Sequence, residues 1–135
     1  MAEWPKMDSA ILCAAVADFA PEEAAEKIKK QPGQTELTLH MHTTPDIAKT
    51  LGESKQAGQQ LIGFALETQN EKENALHKLE RKHMDAIVLN SLRDAGAGFG
   101  TDTNQVTILR ANGQQTALPL QSKAAIADGI LDVIL

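Results

Sequence analysis

The sequence has 135 residues, 42% of them hydrophobic and 23% charged, which is typical of one globular domain rather than of a disordered chain. Thirteen basic and eighteen acidic residues give a net charge of −5, so no basic excess is available for general nucleic-acid binding. A single cysteine excludes an internal disulfide and fits a cytoplasmic protein, and no apolar run reaches the length of a membrane span.

The first predicted element is a strand at residues 10–17, which are apolar throughout and are therefore expected to be buried on both faces of a sheet. Cys13 lies inside this run and is predicted to be buried and unreactive. Asp18 and Phe19 end the run, and Pro21 follows. Because ligands of open α/β sheets bind beyond the carboxyl ends of the strands, Asp18 marks a candidate site.

A lysine cluster follows, with Lys27, Lys29 and Lys30 just before Pro32-Gly33. Residues 22–30 have only a thin apolar face, so we interpret them as a flap. An acid that faces mobile lysines suits a phosphate-bearing ligand with a metal ion. The alternative is a strand end followed by a charged face that is only solvated, and the spacing alone favours this alternative.

Residues 37–42 alternate between apolar and polar side chains, which predicts a half-exposed strand. Thr44, Pro45 and Asp46 are the residue types of a helix start, with Thr44 as the cap. This helix is predicted to run to about Ser54.

Two further buried strands are predicted at residues 60–66 and 85–89, and a helix at 70–83 joins them. Strand, helix and strand in this order form a right-handed unit with parallel strands. Glu67 and Thr68 follow the first of these strands, and Asn90 and Ser91 follow the second.

Lys78 and Lys82 lie four residues apart on one face of the predicted helix. They either form solvated ion pairs with Glu71 and Glu80 or point across the top of the sheet toward the ligand of Asp18. The spacing does not decide between these two arrangements.

Residues 105–111 and 114–120 flank Asn112-Gly113, which is a strong hairpin signal. Residues 95–103 form a glycine-rich loop, but a dinucleotide-binding loop would be followed by a helix rather than by a strand. Ser122 is predicted to cap a last helix at 123–134. The buried face of that helix is predicted to contain Ala125, Ile126, Ile130, Leu131 and Ile134.

These elements predict an α/β fold with a mostly parallel sheet, helices packed on the sheet and an added β-hairpin, in one domain over residues 1–135. The four histidines are predicted to lie on the surface. His40 and His42 share a strand face, but two ligands do not make a zinc site, and His77 and His83 lie on the long helix.

Several spaced motifs, in this order, resemble one family from about Ser9 to Leu135. It is phosphopantothenoylcysteine synthetase, or phosphopantothenate–cysteine ligase, the synthetase half of the bacterial DNA/pantothenate metabolism flavoprotein. The motifs are Ala14 to Phe19, Lys27-Ile28-Lys29-Lys30, Pro45-Asp46-Ile47, Gly63 to Thr68, Asp85 to Asn90, and Phe99 to Asn104 with Asp102.

The resemblance implies a CTP-dependent ligase of coenzyme A biosynthesis. The family activates the carboxylate of 4′-phosphopantothenate as an acyl-cytidylate, and cysteine then displaces CMP to form the amide. The resemblance also implies a Rossmann-like three-layer sandwich, Mg²⁺ and a dimeric assembly. We expect the dimer to use residues 37–43 or the hairpin as exposed β-structure.

The resemblance assigns site residues as well. Asp18 would contact the nucleotide or its cation, and Lys27 would hold the nucleotide as the catalytic lysine of a flexible flap. Phe64 would line the base pocket, and Lys78 and Lys82 would bind CTP. Further nucleotide-binding positions are Ala14, Ala15 and Phe19 against the cytidine, and Pro45, Asp46, Ile47 and Ala48 at the triphosphate.

One departure from the family pattern limits the resemblance. The family has a glycine-rich opening unit before the first strand, with an asparagine that serves phosphopantothenate, and neither this unit nor the flavin-binding decarboxylase half is present in this sequence. We therefore expect a carboxyl-terminal portion that binds no flavin, binds CTP weakly at best and makes no product unaided. One alternative is a nucleotide-binding or dimerisation module without complete chemistry. The other is a Rossmann oxidoreductase, but the Gly-x-Gly-x-x-Gly pattern of that class is missing from this sequence.

Overall fold

A computed structural model describes residues 2–67, 69–91 and 100–134 of the chain. These residues form two compact units, a sheet unit (Met1–Cys13 and Ile47–Leu135) and an insert (Ala14–Asp46). In chain order the elements are β1 (Ser9–Leu12), β2 (Phe19–Pro21), β3 (Met41–Thr43), α1 (Ile47–Glu53), β4 (Gln60–Glu67), α2 (Glu71–Arg81), β5 (Ala86–Ser91), β6 (Thr103–Arg110), β7 (Gln115–Ser122) and α3 (Lys123–Ile134).

The sheet unit has five strands in the order β1–β4–β5–β6–β7. The first three strands are parallel, with Ala10 opposite Leu61 and Ile62 opposite Ala86. Helix α2 connects β4 to β5, so the predicted strand–helix–strand unit is confirmed. This α/β arrangement agrees with the predicted Rossmann-like fold.

Strands β6 and β7 extend the parallel strands as an antiparallel hairpin, which confirms the prediction from Asn112-Gly113. Gly113 has a φ of +87°, a conformation that glycine adopts without a steric penalty. The side-chain oxygen of Asn112 accepts a hydrogen bond from the backbone N–H of Gln114 at 3.0 Å and completes the turn. Ser122 caps α3 as predicted, because its hydroxyl accepts the N–H of Ala125 at 3.2 Å.

Two apolar clusters pack on opposite faces of the sheet, and they explain why β4 and β5 read as continuous apolar runs. Successive side chains of a strand point to opposite faces, so Leu61 and Ile62 enter different clusters. Helices α1 and α2 cover one face through Leu51, Ala75 and Leu79, among others. Helix α3 covers the other face through Ile126, Ile130 and Ile134.

The first strand is shorter and less buried than predicted, because β1 ends at Leu12 rather than at residue 17. Its four residues are half-buried or exposed, so the prediction of burial on both faces is wrong for this strand. The residues after Leu12 are mostly alanines, which offer little apolar area to hold a strand in a sheet. Cys13 is exposed, and the prediction that it is buried is also wrong.

Helix α1 begins at Ile47, two residues after the predicted start at Pro45. Thr44 lies three residues before this start and is therefore not the cap, and its hydroxyl donates to the backbone oxygen of Ala17 at 2.5 Å. In the last helix, Leu131 was predicted to be buried but is 41% exposed. The three isoleucines at positions 126, 130 and 134 already complete the face that packs on the sheet.

The insert is built on a short antiparallel pair, in which Ala20 of β2 lies opposite His42 of β3. In place of the strand predicted at 37–42, β3 covers only Met41–Thr43, where it pairs with Phe19–Pro21. One further backbone hydrogen bond, from the N–H of Glu22 to the oxygen of His40 at 3.1 Å, lies beyond the paired residues. Residues 22–40 form no helix or strand, as expected for a flap. Among the described residues, no helix is both long and apolar enough to cross a membrane.

Candidate functional site

The carboxyl ends of β4 and β5 lie side by side in the sheet unit, with Glu67 opposite Ser91 and Leu66 opposite Asn90. This edge is where ligands bind in open α/β sheets. Polar side chains from β4, β5, β6 and α2 meet at this edge. We therefore take it as the candidate functional site of the sheet unit.

On the face covered by α2, Lys78 forms an ion pair with Glu67. Its Nζ lies 2.5 Å from Glu67 Oε1, and the Glu67 side chain is only 14% exposed. Asn74 donates to the other carboxylate oxygen at 3.4 Å and to the backbone oxygen of Gln69 at 3.0 Å. The carboxylate thus holds the ammonium of a partly exposed lysine at the sheet edge.

A second contact on the same face joins the start of α2 to the end of β5. The hydroxyl of Ser91 donates to Glu71 Oε1 at 2.8 Å, and Glu71 is the first residue of α2. An acidic residue in the first turn also suits the positive end of the helix dipole. This contact fixes the helix start relative to the strand end.

On the face covered by α3, Asn90 and Asn104 form a side-chain pair. Asn104 Nδ2 donates to Asn90 Oδ1 at 3.2 Å, and Asn104 Oδ1 accepts the backbone N–H of Gln105 at 3.0 Å. Both asparagines are half-buried. The β6–β7 register shifts between Asn104 and Val106, so a bulge lies at this position.

The other predicted site residues of the sheet unit lie at separate places in the structure. Phe64 of β4 is half-buried and packs against the cluster beneath α3. Lys82 follows the last residue of α2, at the end of the helix that is remote from Glu71. Ile47 is exposed at the start of α1, whereas Ala48 packs on the core beneath α1 and α2.

The remaining predicted residues belong to the insert. The backbone oxygen of Asp18 accepts the N–H of Thr44 at 2.9 Å, next to the paired strands β2 and β3. Lys29 and Lys30 line a cavity of about 380 Å³ together with Gln34, and Lys27 lies just before them. The predicted positions that are exposed in the insert are Ala14, Ala15, Asp18, Phe19, Lys27, Pro45 and Asp46.

No group of three or more His, Cys, Asp or Glu side chains that could hold a metal ion occurs within residues 2–67, 69–91 and 100–134. His40, His42, His77 and His83 are all exposed, as predicted. Most of the glycine-rich loop predicted at 95–103 and the motif residues Thr68 and Phe99 lie outside the described residues.

Sequence reasoning placed the candidate site at Asp18, which belongs to the insert rather than to the end of β1, and it missed the contacts at the ends of β4 and β5. It offered Glu71 and Glu80 as partners for Lys78, whereas the partner is Glu67, eleven residues earlier in the chain. The motif Gly63 to Thr68 contained this acid, but its pairing depends on how α2 lies on β4. The pairing of Asn90 with Asn104 depends in the same way on the register of β5 and β6.

Comparison with known proteins identifies the relatives of this chain. It is 47% identical over 128 residues to a cysteine/cysteine sulfinic acid decarboxylase from an unknown prokaryotic organism, and the match covers 95% of this chain and 35% of the relative. It is 46% identical over 128 residues to the coenzyme A biosynthesis bifunctional protein CoaBC of Bacillus subtilis (strain 168), covering 94% and 31%. The chain thus spans about a third of the length of these relatives.

Solved structures give the same result. A crystal structure of the C-terminal domain of the coenzyme A biosynthesis bifunctional protein CoaBC matches with a TM-score of 0.76 and 36% identity, over 98% of this chain and 56% of that one. A Cab2 mutant H337A complex with phosphopantothenate-cysteine shares the fold, with a TM-score of 0.58 and 23% identity over 90% and 42% of the two chains. The model of the DNA/pantothenate metabolism flavoprotein C-terminal domain matches residues 1–135, and the chain belongs to this family.

Proposed function

We propose that this chain acts as the ligase domain that joins 4′-phosphopantothenate to cysteine in coenzyme A biosynthesis, with CTP as the activating nucleotide. The observation that carries the proposal is the match of the whole chain to the family, together with 46% identity to the Bacillus subtilis CoaBC. The polar groups at the carboxyl ends of β4 and β5 support it, since this edge suits a nucleotide.

The proposed chemistry needs positive charge beside a triphosphate. Carboxylate activation brings two anionic substrates together, and preorganised cations offset their repulsion. Lys78 can serve this purpose, because its ammonium is held by Glu67 while 42% of its side chain remains exposed. An ammonium has three N–H donors, so two remain for phosphate oxygens.

The family resemblance gives Lys82 and Phe64 their proposed roles in binding the phosphates and the base. In the insert, Lys27 is proposed as the lysine that holds the nucleotide, and Asp18 as the ligand of a Mg²⁺ ion. An exposed carboxylate fits this role, since Mg²⁺ at a nucleotide takes one or two carboxylates in addition to phosphates and waters. The bound ion would neutralise part of the triphosphate charge.

The proposal includes partners. We propose that the chain works in the cytoplasm as a homodimer, and that a flavin-dependent decarboxylase half supplies the other activity of the bifunctional relatives. Support for the decarboxylase half comes from the names of the relatives, which are a decarboxylase and a bifunctional coenzyme A biosynthesis protein.

Two measurements test the proposed function. Isothermal titration of the 135-residue chain with CTP, UTP and ATP in the presence of Mg²⁺ tests nucleotide binding, and CTP is expected to bind best. A chimera in which this chain replaces the matching 128 residues of the Bacillus subtilis CoaBC tests the reaction. Mass spectrometry of the product should detect phosphopantothenoylcysteine when CTP, cysteine and 4′-phosphopantothenate are supplied.

Matched lysine variants sharpen this test. Lys78→Ala should weaken CTP binding about tenfold or more, because a charge-assisted contact to phosphate is lost. Lys72→Ala removes an exposed lysine of the same helix and should leave the affinity unchanged. A folded chimera that forms no product would refute the ligase assignment. Retained CTP binding in that case would support the alternative, a nucleotide-binding module without complete chemistry.

A further inference from the structure

The asparagine pair at the end of β5 has a hydrogen-bond direction that the backbone fixes. The N–H of Gln105 can only donate, so the atom of Asn104 that faces it at 3.0 Å must be the amide oxygen. The amide nitrogen of Asn104 therefore faces Asn90 as a donor, and the atom of Asn90 at 3.2 Å must be its oxygen. This chain of contacts sets the orientation of the Asn90 amide.

The consequence is that Asn90 has two N–H donors to offer. Within the part of the chain that the structure describes, the amide nitrogen of Asn90 donates to no group, whereas its amide oxygen accepts a hydrogen bond from Asn104. Asn90 is half-buried, and no buried side-chain nitrogen or oxygen of the described residues lacks a hydrogen-bond partner, so these N–H groups face solvent. A bound ligand with an accepting oxygen can therefore reach them.

Position links these donors to the candidate site. Asn90 lies opposite Leu66, and Phe64 lies two residues before Leu66 on the same face of β4. The bulge between Asn104 and Val106 interrupts the β6–β7 ladder beside this pair. The extra residue of this bulge lies in β7, between Leu118 and Gln121, and bulges are over-represented next to active sites.

We propose that Asn90 is a substrate-binding residue that donates to a carbonyl or phosphoryl oxygen, and that Asn104 is a positioning residue that keeps its amide in the donating orientation. This inference rests on the proposed function for the identity of the ligand. The oxygen has two possible sources, CTP or 4′-phosphopantothenate, and titration with each compound alone distinguishes them.

Substitutions that differ by one atom test the orientation. Asn104→Asp keeps the oxygen that accepts the Gln105 N–H but replaces the donor to Asn90 by a second acceptor. The Asn90 amide should then rotate to donate to position 104, and it would turn its oxygen toward the ligand. We expect Asn90→Ala and Asn104→Asp to weaken the binding of one of the two compounds about tenfold.

Two further variants separate orientation from charge. Asn112→Asp is the same chemical change in the hairpin turn, where the oxygen also accepts a backbone N–H and the nitrogen also meets a side-chain oxygen. Its affinities should stay within twofold of wild type. Asn104→Ala adds no charge and should weaken the same compound several-fold, while circular dichroism and thermal melting confirm that each variant is folded.

The outcomes are distinct. A loss confined to CTP, or confined to 4′-phosphopantothenate, supports the inference and identifies the source of the oxygen. Unchanged affinity of folded Asn90→Ala for both compounds overturns the inference and leaves the proposed function standing. A wild-type chain that binds neither compound overturns the inference, and the chimera then decides the proposed function.

Discussion

Gly52 shows how tightly two helices meet in the sheet unit. A Cβ atom at this position would lie 1.9 Å from the backbone oxygen of Lys82, just after the end of α2. A backbone oxygen cannot turn aside as a side chain does, so the helices would have to separate. We expect Gly52→Ala to lower the free energy of unfolding by about 3 kcal/mol, as measured by urea denaturation.

Gly129→Ala is the control for this prediction. Its added Cβ would meet the side-chain carbon Leu118 Cδ1 at 3.1 Å, and a leucine side chain can shift by a few tenths of an ångström. Alanine is also the better helix former, so the net change should be small. If Gly52→Ala were as stable as Gly129→Ala, the close approach to Lys82 would be refuted.

His83 occupies a backbone conformation that usually belongs to glycine. Its φ is +52°, and the residues around it close a Schellman motif, with the N–H of Met84 on the Leu79 oxygen at 2.9 Å and the N–H of His83 on the Glu80 oxygen at 3.1 Å. We expect His83→Gly to raise the free energy of unfolding by about 1 kcal/mol, because glycine relieves the left-handed strain.

Substitution of glycine for the histidine inside α2 should instead lower the free energy of unfolding. His77 is exposed in the interior of α2, where glycine costs about 0.5–1 kcal/mol. Thermal melting of His77→Gly and His83→Gly in parallel checks both signs. If both substitutions lower the melting temperature, the His83 side chain stabilises the fold by more than its left-handed backbone conformation costs.

At the scale of elements, Asp85 ties three segments together. Its carboxylate accepts Lys55 Nζ at 2.8 Å and the backbone N–H of the buried Leu61 at 2.7 Å. Its own backbone oxygen accepts the N–H of Ala111 after β6 at 2.9 Å. It therefore joins the start of β5 to the start of β4, to the connection after α1 and to the residue after β6.

We expect Asp85→Ala to cost about 2 kcal/mol in urea denaturation, since the N–H of Leu61 loses its acceptor. The control is Glu3→Ala, which removes the exposed ion pair with Lys6 and should cost less than about 0.5 kcal/mol. Equal effects of the two substitutions would contradict a structural role for the Asp85 carboxylate.

The elements that could be predicted are those whose patterns are local. The strands at Gln60–Glu67 and Ala86–Ser91 are continuous apolar runs, and Asn112-Gly113 dictates a turn, so their fold follows from composition and turn chemistry. The end of β1 could not be predicted in this way, because a run of alanines is equally apolar in a strand or outside one. The contacts Glu67–Lys78 and Asn90–Asn104 depend on packing and register, which local patterns do not encode.

At the scale of the whole molecule, assembly remains a prediction. In the insert, apolar side chains are exposed at Ile28, Leu37, Leu39 and Met41, each to more than half. Exposed apolar groups of this kind favour association, and we expect a homodimer that uses this part of the chain. Light scattering should give twice the chain mass of 14.5 kDa, and Leu37→Asp with Leu39→Asp should shift the protein toward monomer. A wild-type chain that stays monomeric at high concentration would contradict this prediction.

The way in which the insert closes on itself has a consequence for modularity. Ala17 and Thr44 are hydrogen-bonded, so the two ends of the insert meet, and both apolar clusters of the sheet unit consist only of residues outside it. An excursion of this kind can be lengthened, shortened or exchanged without disturbing the domain that carries it. Replacing residues 14–46 by a short Gly-Ser linker should thus leave a protein that melts cooperatively, on which inserts from distant relatives could be grafted.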